Sequence, residues 1–355
     1  MTETPEWRSC IEKLSVSAGV VLVVGETDSG KTTFCTELAN AAIAAGTECA
    51  VVDADIGQSD IGPPGTIGLG IIEKPIEKLS EVRTRRSYFV GDVTPFRHLT
   101  ECVIGTKKMA DEAKRLGAAL VIVDTTGLVR GAVGRKLKVS KAELLHPSHV
   151  VAIQKGTETE PVLQSFRHHD GFEIIRLKAS SQAHVRPKEI RISRRRLKFY
   201  EHFRDATDHK IHMDGIDCWG TWLGAGKLIP WQELPKLSEI LASRVLHAEL
   251  IGDVMYAVSA SAGERFDLEK LQEGFGARDV IQASAKNFIG ILVGLADSAG
   301  NNIDVGIVKR LDFVERSITI FSPISSVSPV RRITFGTLRL AEDGTETGRI
   351  STGDI

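Results

Sequence analysis

The chain has 355 residues, 42% of them hydrophobic and 26% charged, with a formal net charge of −1. This is globular composition, which excludes a disordered or low-complexity chain, and near-neutral charge argues against bulk coating of nucleic acid while leaving room for a local basic site. No apolar run is long enough to span a bilayer, so no membrane partner is expected. The five cysteines, Cys10, Cys35, Cys49, Cys102 and Cys218, are scattered and lack C-x-x-C spacing. They read as reduced thiols of a cytoplasmic protein, not as a disulfide frame or zinc site. The opening "MTETPEWRSC" is polar and acidic, unlike a signal peptide. The length suggests two domains, expected at 1–205 and 206–355.

The first half alternates strand and helix patterns. "GVVLVVG" (Gly19–Gly25) is a β-branched run of the kind buried on both faces of a sheet. A helix pattern follows from Lys31 to Ala45 and stops at Gly46. "CAVVDAD" (Cys49–Asp55) is the next strand, "KKMADEAKRLG" a helix, and "AALVIVD" (Ala118–Asp124) a strand. "HVVAIQ" (His149–Gln154) and "EIIRLK" (Glu173–Lys178) continue the series. The alternation predicts an α/β fold with a doubly wound parallel sheet. After about Arg204 the texture changes. "ELPKLSEILASRV" reads as a helix, and "ELIGDVMYAVSAS", "FIGILVGLADSAGNNIDVGIVKRLD", "SITIFSPI" and "RRITFGTLRLAE" alternate with period two between turns. This predicts a small antiparallel β-rich C-terminal domain with a frayed polar tail from Asp343 onward.

Gly25-Glu26-Thr27-Asp28-Ser29-Gly30-Lys31-Thr32 fits G-x-x-x-x-G-K-[ST], between a buried strand and a helix. In that setting the N–H groups of Gly25, Thr27, Asp28, Ser29, Gly30, Lys31, Thr32 and Thr33 would wrap phosphates, helped by the positive end of the helix. Lys31 would reach the β- and γ-phosphates and the Thr32 hydroxyl would hold Mg²⁺. Asp124, at the tip of its strand, is the expected carboxylate partner of that metal. A nucleoside triphosphate, ATP or GTP, is therefore the expected cofactor. The acceptor remains open at this point: water, a small metabolite or a polymer end.

"VVDADIGQSDIGPPGTIG" adds a second carboxylate cluster. Asp53 and Asp55 alternate along a strand end, so one would face the phosphate loop and the other the packing beneath it. An acid beside the γ-phosphate could take a proton from an attacking hydroxyl. A solvated turn explains the same residues equally well. Farther on, seven of the thirteen residues from Arg186 to Lys198 are Lys or Arg. Pro187 suits the first turn of a helix there. Arg191 and Arg195 are i,i+4 neighbours on one face, while Ile190 and Leu197 share another that can pack.

Together the D-x-D-x-G-Q…P-G-T element, the G-x-T-D-x-G-K-[ST] loop and the downstream arginines resemble the Clp1/Grc3 polynucleotide 5′-hydroxyl kinases, from about Gly19 to Phe203. The resemblance implies that Asp55 is the general base and also faces the metal. It implies that Gln58 and the Pro63–Thr66 loop belong to the same element. "GDVTP" (Gly91–Pro95) and "DTTGLVRG" (Asp124–Gly131) resemble segments beside that family's active site. Arg186, Arg191 and Arg195 match a lid whose arginines close over the transferring phosphate. Arg194, Arg196 and Lys198 stand off that pattern and would contact substrate phosphates. A general nucleic-acid patch or a solvated basic helix are the alternatives.

Two departures qualify the resemblance. The family's nucleic-acid-stacking Trp is Leu128 here, and its partner Thr is Val93, followed by Thr94. Such a pair would grip a base or sugar by apolar contact alone. Eukaryotic relatives also carry an N-terminal β domain that helps hold the nucleotide, whereas about eighteen residues precede the first strand here. Trp7 is a candidate for the purine pocket, although a buried anchor fits it better.

The implied function is transfer of the γ-phosphoryl group of ATP or GTP, with Mg²⁺, to the 5′-hydroxyl end of RNA or DNA. A nucleotide-bound scaffold in RNA processing, or a small-metabolite kinase or regulatory NTPase, are the alternatives. Protein partners are left open. His168-His169 reads as a surface turn. Trp219, Trp222 and Trp231 read as core or domain-junction packing, because Trp buries a large area. Lys136 and Lys138 read equally as phosphate contacts or an exposed face.

Overall fold

The structure is a computed structural model, which describes residues 4–180, 187–261, 266–351 and 353–355. The chain divides into two compact units, Met1–Lys198 and Phe199–Ile355. The division falls inside a helix and not after residue 205. The helix's last turn belongs to the second unit, where the buried Phe203 ring lies 6.0 Å from Phe321.

The first unit runs α1 (Pro5–Ser15), β1 (Gly19–Gly25), α2 (Lys31–Ala44), β2 (Cys49–Ala54), β3 (Thr66–Ile72), β4 (Thr84–Phe89), α3 (Leu99–Arg115), β5 (Leu120–Thr125), α4 (Gly131–Leu145), β6 (His149–Gln154), α5 (Glu160–Leu163), β7 (Glu173–Lys178) and α6 (Lys188–Phe203). Its seven strands lie in the order β4-β3-β2-β5-β1-β6-β7. β2, β5, β1, β6 and β7 are mutually parallel, and β3 and β4 extend the sheet antiparallel. The apolar runs of the parallel strands serve two cores at once. Val20, Leu22 and Val24 enter one hydrophobic cluster and Val21 and Val23 the other, as expected where helices cover both faces of a sheet.

The β3–β4 extension and α1 were not foreseen. β4 is the edge strand, and its Thr-Arg-Arg-Ser start is mostly exposed, which hides the apolar alternation that marks a strand. α1 begins at a Thr4 cap with Pro5 at its first turn, a helix start that the polar composition obscured.

The second unit runs β8 (Thr207–His212), β9 (Asp217–Trp219), β10 (Lys227–Leu228), α7 (Leu234–Ile240), β11 (Val245–Ile251), β12 (Val254–Ser259), α8 (Leu268–Phe275), β13 (Asp279–Ser284), α9 (Ala285–Phe288), β14 (Ile291–Ala296), β15 (Asn302–Asp312), β16 (Ser317–Ser322), β17 (Arg332–Leu340) and β18 (Glu346–Arg349). One sheet has the order β10-β11-β12-β13 and the other β18-β17-β14-β15-β16-β8, with β9 added beside β17. The unit is β-rich but not purely antiparallel. β12 and β13 pair in parallel across α8, and β9 is parallel to β17. The tail is not frayed either: β18 pairs with β17, and Ile350 and Ile355 are buried.

Candidate active site

β1 ends at Gly25, where a side chain is sterically impossible. A Cβ would stand 2.5 Å from Ile153 O and 2.6 Å from Ser29 Oγ. The chain then turns through Asp28 (φ 56°) and Gly30 (φ 97°), both left-handed, into α2. Such a turn points successive N–H groups into one concavity at a helix N-terminus. Lys31 is buried and its Nζ donates to Glu26 O at 2.7 Å, across the mouth of its own loop. Ser29 is also buried, whereas Thr27 and Thr33 are exposed. Beneath the loop lies Trp7, packed edge-on against Phe34 and donating Nε1–H to Lys178 O at 2.9 Å. Trp7 is thus an anchor, and not a wall for a purine.

Thr32 Oγ1 donates to Asp124 Oδ2 at 2.6 Å. Asp124 is buried at the end of β5. Burial pushes its carboxyl up to about 6, against the pull of Lys31 and of the Thr32 hydroxyl. Its Oδ1 is buried and accepts no hydrogen bond among the described residues. A hydroxyl, one carboxylate with an unmet oxygen, and an adjacent phosphate loop match what magnesium takes: one or two protein oxygens, with waters and phosphates completing an octahedron. Among the described residues no group of three His, Cys, Asp or Glu could form a protein-only metal cage.

Asp53 and Asp55 take different jobs. Asp53 stands beside Asp124 in register and is buried. Its carboxylate accepts from the N–H groups of Asp55 (3.0 Å), Ile61 (3.0 Å) and Asp60. Burial and the charge of Asp124 push it up to about 8, although the Ile61 N–H pulls the other way. Asp53 therefore ties down the loop that follows β2. Asp55 is half-buried on that loop. Its Oδ1 accepts from the N–H groups of Gly57 (3.1 Å) and Gln58 (3.2 Å), and no hydrogen bond among the described residues reaches Oδ2. One oxygen orients the group and the other remains available for a proton.

The same loop carries the basic helix. Gln58 Nε2 donates to Arg191 O at 3.2 Å, and Lys198 Nζ donates to Ser59 O and, at 2.6 Å, to Asp60 Oδ1. Arg191 lies 3.8 Å from Asp28 of the phosphate loop. Arg191 and Arg195 are half-buried, while Arg194 and Arg196 on the other faces are exposed. Arg186 lies outside the described residues. Two expectations change here. Lys198, read from the sequence as a substrate-phosphate contact, is here bonded to the loop that follows β2. Ile190 and Leu197 do not pack but are exposed at 46% and 55%.

The remaining candidates meet the same loops. A Cβ on Gly57 would stand 2.7 Å from Val93 O, so the Val93–Thr94 segment abuts the Asp55 turn. A Cβ on Gly127 would stand 2.2 Å from Thr27 Oγ1, so the segment before Leu128 lies directly on the phosphate loop. Val93 is buried and Leu128 half-buried.

The family model described as "mRNA cleavage and polyadenylation factor CLP1 P-loop" matches residues 25–205. A polyribonucleotide 5′-hydroxyl-kinase of Pyrococcus furiosus is 33% identical over 339 residues, covering 92% of this chain and 89% of the relative. The chain belongs to the CLP1 P-loop family. Another member, a polyribonucleotide 5′-hydroxyl-kinase of Methanocaldococcus jannaschii, is 32% identical over 360 residues, 100% of this chain and 97% of its own. A solved structure of a wild-type Clp1p–Pcf11p complex shares the fold with a TM-score of 0.58 at 12% identity, over 93% of this chain and 77% of that one.

Sequence reasoning about this CLP1 relative missed its buried lysines. Lys138 and Lys141 of α4 are both fully buried. Burial lowers both, Lys138 well below the ordinary lysine range. The signal was present: the two lysines stand between Leu137 and Ala142 on the face of α4 that also buries Gly134 and Leu145, so their spacing marked them as inward. Lys136, in contrast, is exposed. The Trp residues of the second unit reverse expectation. Trp219, at the end of the short strand β9, is 55% exposed, and Trp231, at the start of a single 3-10 turn, is 76% exposed.

Proposed function

We propose that the protein transfers the γ-phosphoryl group of a nucleoside triphosphate to the 5′-hydroxyl of a polyribonucleotide, in a reducing, cytoplasmic setting. The observation that carries this reading is the tie between Asp55 and the basic helix. The turn that orients Asp55 is the one that Gln58 and Lys198 fasten to α6. A base and a cluster of arginines are thereby held on one rigid piece beside the phosphate loop. The names of the relatives supply the acceptor class, and the five free cysteines, four of them buried, suit a reducing compartment.

The chemistry follows. The loop N–H groups and Lys31 bind the β- and γ-phosphates. Asp55 Oδ2 takes the proton of the 5′-hydroxyl as its oxygen attacks the γ-phosphorus. The bond from that phosphorus to the β,γ-bridging oxygen breaks, and the nucleoside diphosphate leaves with the electron pair. Magnesium, held by Thr32 and Asp124, would neutralise charge on the β- and γ-oxygens. Arg191 and Arg195 close over the migrating phosphoryl group, and such arginines are worth about 10³–10⁵ in rate. Arg186 joins them by the resemblance alone. Gln58, Val93, Thr94, Leu128 and Arg196 receive the RNA end.

Purified protein with γ-labelled ATP and Mg²⁺ should label a 5′-hydroxyl RNA and not the same RNA bearing a 5′-phosphate. Matched GTP, DNA and mononucleoside arms separate the finer choices. Equal labelling by wild type and Asp55→Ala would sink the reading. Turnover that ignores oligonucleotide but responds to a small molecule would move it to another acceptor class.

A further inference from the structure

The geometry points to Lys138 as a positioning residue that aims the Asp124–Leu128 segment at the phosphate loop, a role the kinase reading above does not assign. Lys138 comes from the middle of α4 and is wholly buried. Its Nζ donates to Thr125 Oγ1 at 2.8 Å and to Thr126 O. Thr125 Oγ1 passes the connection on, donating to Val23 O of β1 at 2.8 Å. One side chain thus joins α4, the end of β5 and the end of β1 before the phosphate loop. The residues on either side of this junction have direct contacts of their own. Asp124, one residue before Thr125, accepts from Thr32. Gly127, one residue after Thr126, lies against Thr27. Leu128 comes next, and its carbonyl would be 3.1 Å from a Cβ on Gly134, one turn before Lys138 on α4.

The physical reason for a lysine here is the direction of two acceptors. Thr125 Oγ1 and Thr126 O turn into the helix layer at the point where β5 stops. A buried carbonyl without a donor is costly. An apolar residue at 138 would leave Thr126 O unmet, and the segment would relax to satisfy it. Lys141 provides an internal control. It lies three residues away on the same buried face, yet its Nζ has no hydrogen-bond partner among the described residues. Both lysines sense the carboxylates Asp55 and Asp124 through space. Only Lys138 grips the backbone of the site.

The inference rests on the kinase reading, and its test separates the two. Lys138→Met, Lys141→Met and Thr125→Val would be compared with wild type in the full chain. Binding of a non-hydrolysable ATP analogue would be measured calorimetrically with and without Mg²⁺, a readout that needs no acceptor. Lys138→Met is expected to reduce the Mg²⁺-dependent gain in nucleotide affinity by about 10-fold or more, in line with the loss of groups that orient a metal ligand. It should lower kcat by a similar factor, with KM for RNA changed less. Thr125→Val should shift both in the same direction, and the double variant should be less than additive. Lys141→Met should leave both near wild type. Lys138→Met with unchanged Mg²⁺ gain and kcat, whatever its Tm, overturns the inference. So does Lys141→Met matching Lys138→Met, which would mean that charge and not grip is at work. If Lys138→Met does not fold, Thr125→Val decides alone: no change in its Mg²⁺ gain overturns the inference.

Discussion

The two units treat buried charge differently. Among the described residues, the first buries Lys31, Asp53, Asp124, Lys138 and Lys141 around one end of a parallel sheet, while the second buries the ionisable pair His247 and Glu249. In the second unit the charge is closed on itself. Glu249 accepts from His247 at 2.7 Å and from the N–H groups of Gly224 and Gly226 at 2.8 Å each. In the first unit the buried carboxylate Asp124 has an oxygen, Oδ1, with no partner among the described residues. A satisfied buried carboxylate stabilises a loop, whereas an unsatisfied one is expensive and marks a place where something else must bind. The contrast assigns chemistry to one unit and architecture to the other.

The largest effect that could break this contrast lies at Arg191. Arg191→Ala is expected to lower kcat by about 10³, the low end of what a phosphoryl-transfer arginine supplies, with nucleotide binding changed far less. Arg196→Ala, on an exposed face of the same helix, should instead weaken RNA binding and reduce the salt slope by about one ion. Steady-state kinetics at several salt concentrations distinguish them. Loss of salt-dependent binding alone in both variants would make α6 a basic patch, and the site would lose its lid.

Asp55 and Asp53 give the next test. Asp55→Asn should retain the turn at Oδ1 and cost about 10² in kcat, the lower bound for a general base. Asp53→Ala should act through structure, because three N–H groups of the following loop lose their acceptor. It should cost about 2–3 kcal/mol of stability, read as a lower Tm. If Asp55→Asn lowers Tm and leaves kcat intact, the roles of the two residues are exchanged.

In the second unit the expected effect is on stability alone. Burial would raise the Glu249 carboxyl, but the hydrogen bonds from His247, Gly224 and Gly226 outweigh it and hold the group below its ordinary range. A folded-state pKa below the unfolded one adds stability above the unfolded value, near 4.3 for Glu. That stability is lost as pH falls through the folded value. Glu249→Gln should therefore remove about 1–2 kcal/mol at neutral pH and flatten the acid side of a Tm-versus-pH curve. Its kcat per folded molecule should equal that of wild type. A fall in kcat at constant Tm would mean that the second unit takes part in the reaction.

The legibility of the two units differs for the same reason. β1, β6 and β7 have the bounds their apolar runs predict, because strands buried on both faces leave an uninterrupted signal. The phosphate loop was legible because its glycines are required sterically, as at Gly25. β4 was not legible, since an edge strand with one covered face needs fewer apolar residues, while β3 is buried but its apolar run is interrupted by Gly68 and Gly70. Lys138 was missed because lysine is read as surface, although the period of α4 turned it inward. Nor could spacing alone tell Asp53 from Asp55. Their difference lies in which N–H groups each accepts, and that depends on how the loop to Ile61 folds back.

The smallest expected effects lie at the exposed tryptophans and sharpen the assignment of the second unit. The Arg332 guanidinium lies 4.1 Å from the Trp219 ring centre. A cation over an exposed indole is worth about 0.5–1 kcal/mol, so Trp219→Ala should lower stability by that amount. Trp231, at 76% exposure, makes no ring contact among the described residues, and Trp231→Ala should stay within about 0.5 kcal/mol of wild type. Denaturant unfolding at constant m-value would rank them. A larger cost at Trp231 than at Trp219 would mean that exposure in this unit does not report packing. If the order holds, Trp219 is fixed to its edge strand by the guanidinium, and its exposed indole is a built feature of the surface.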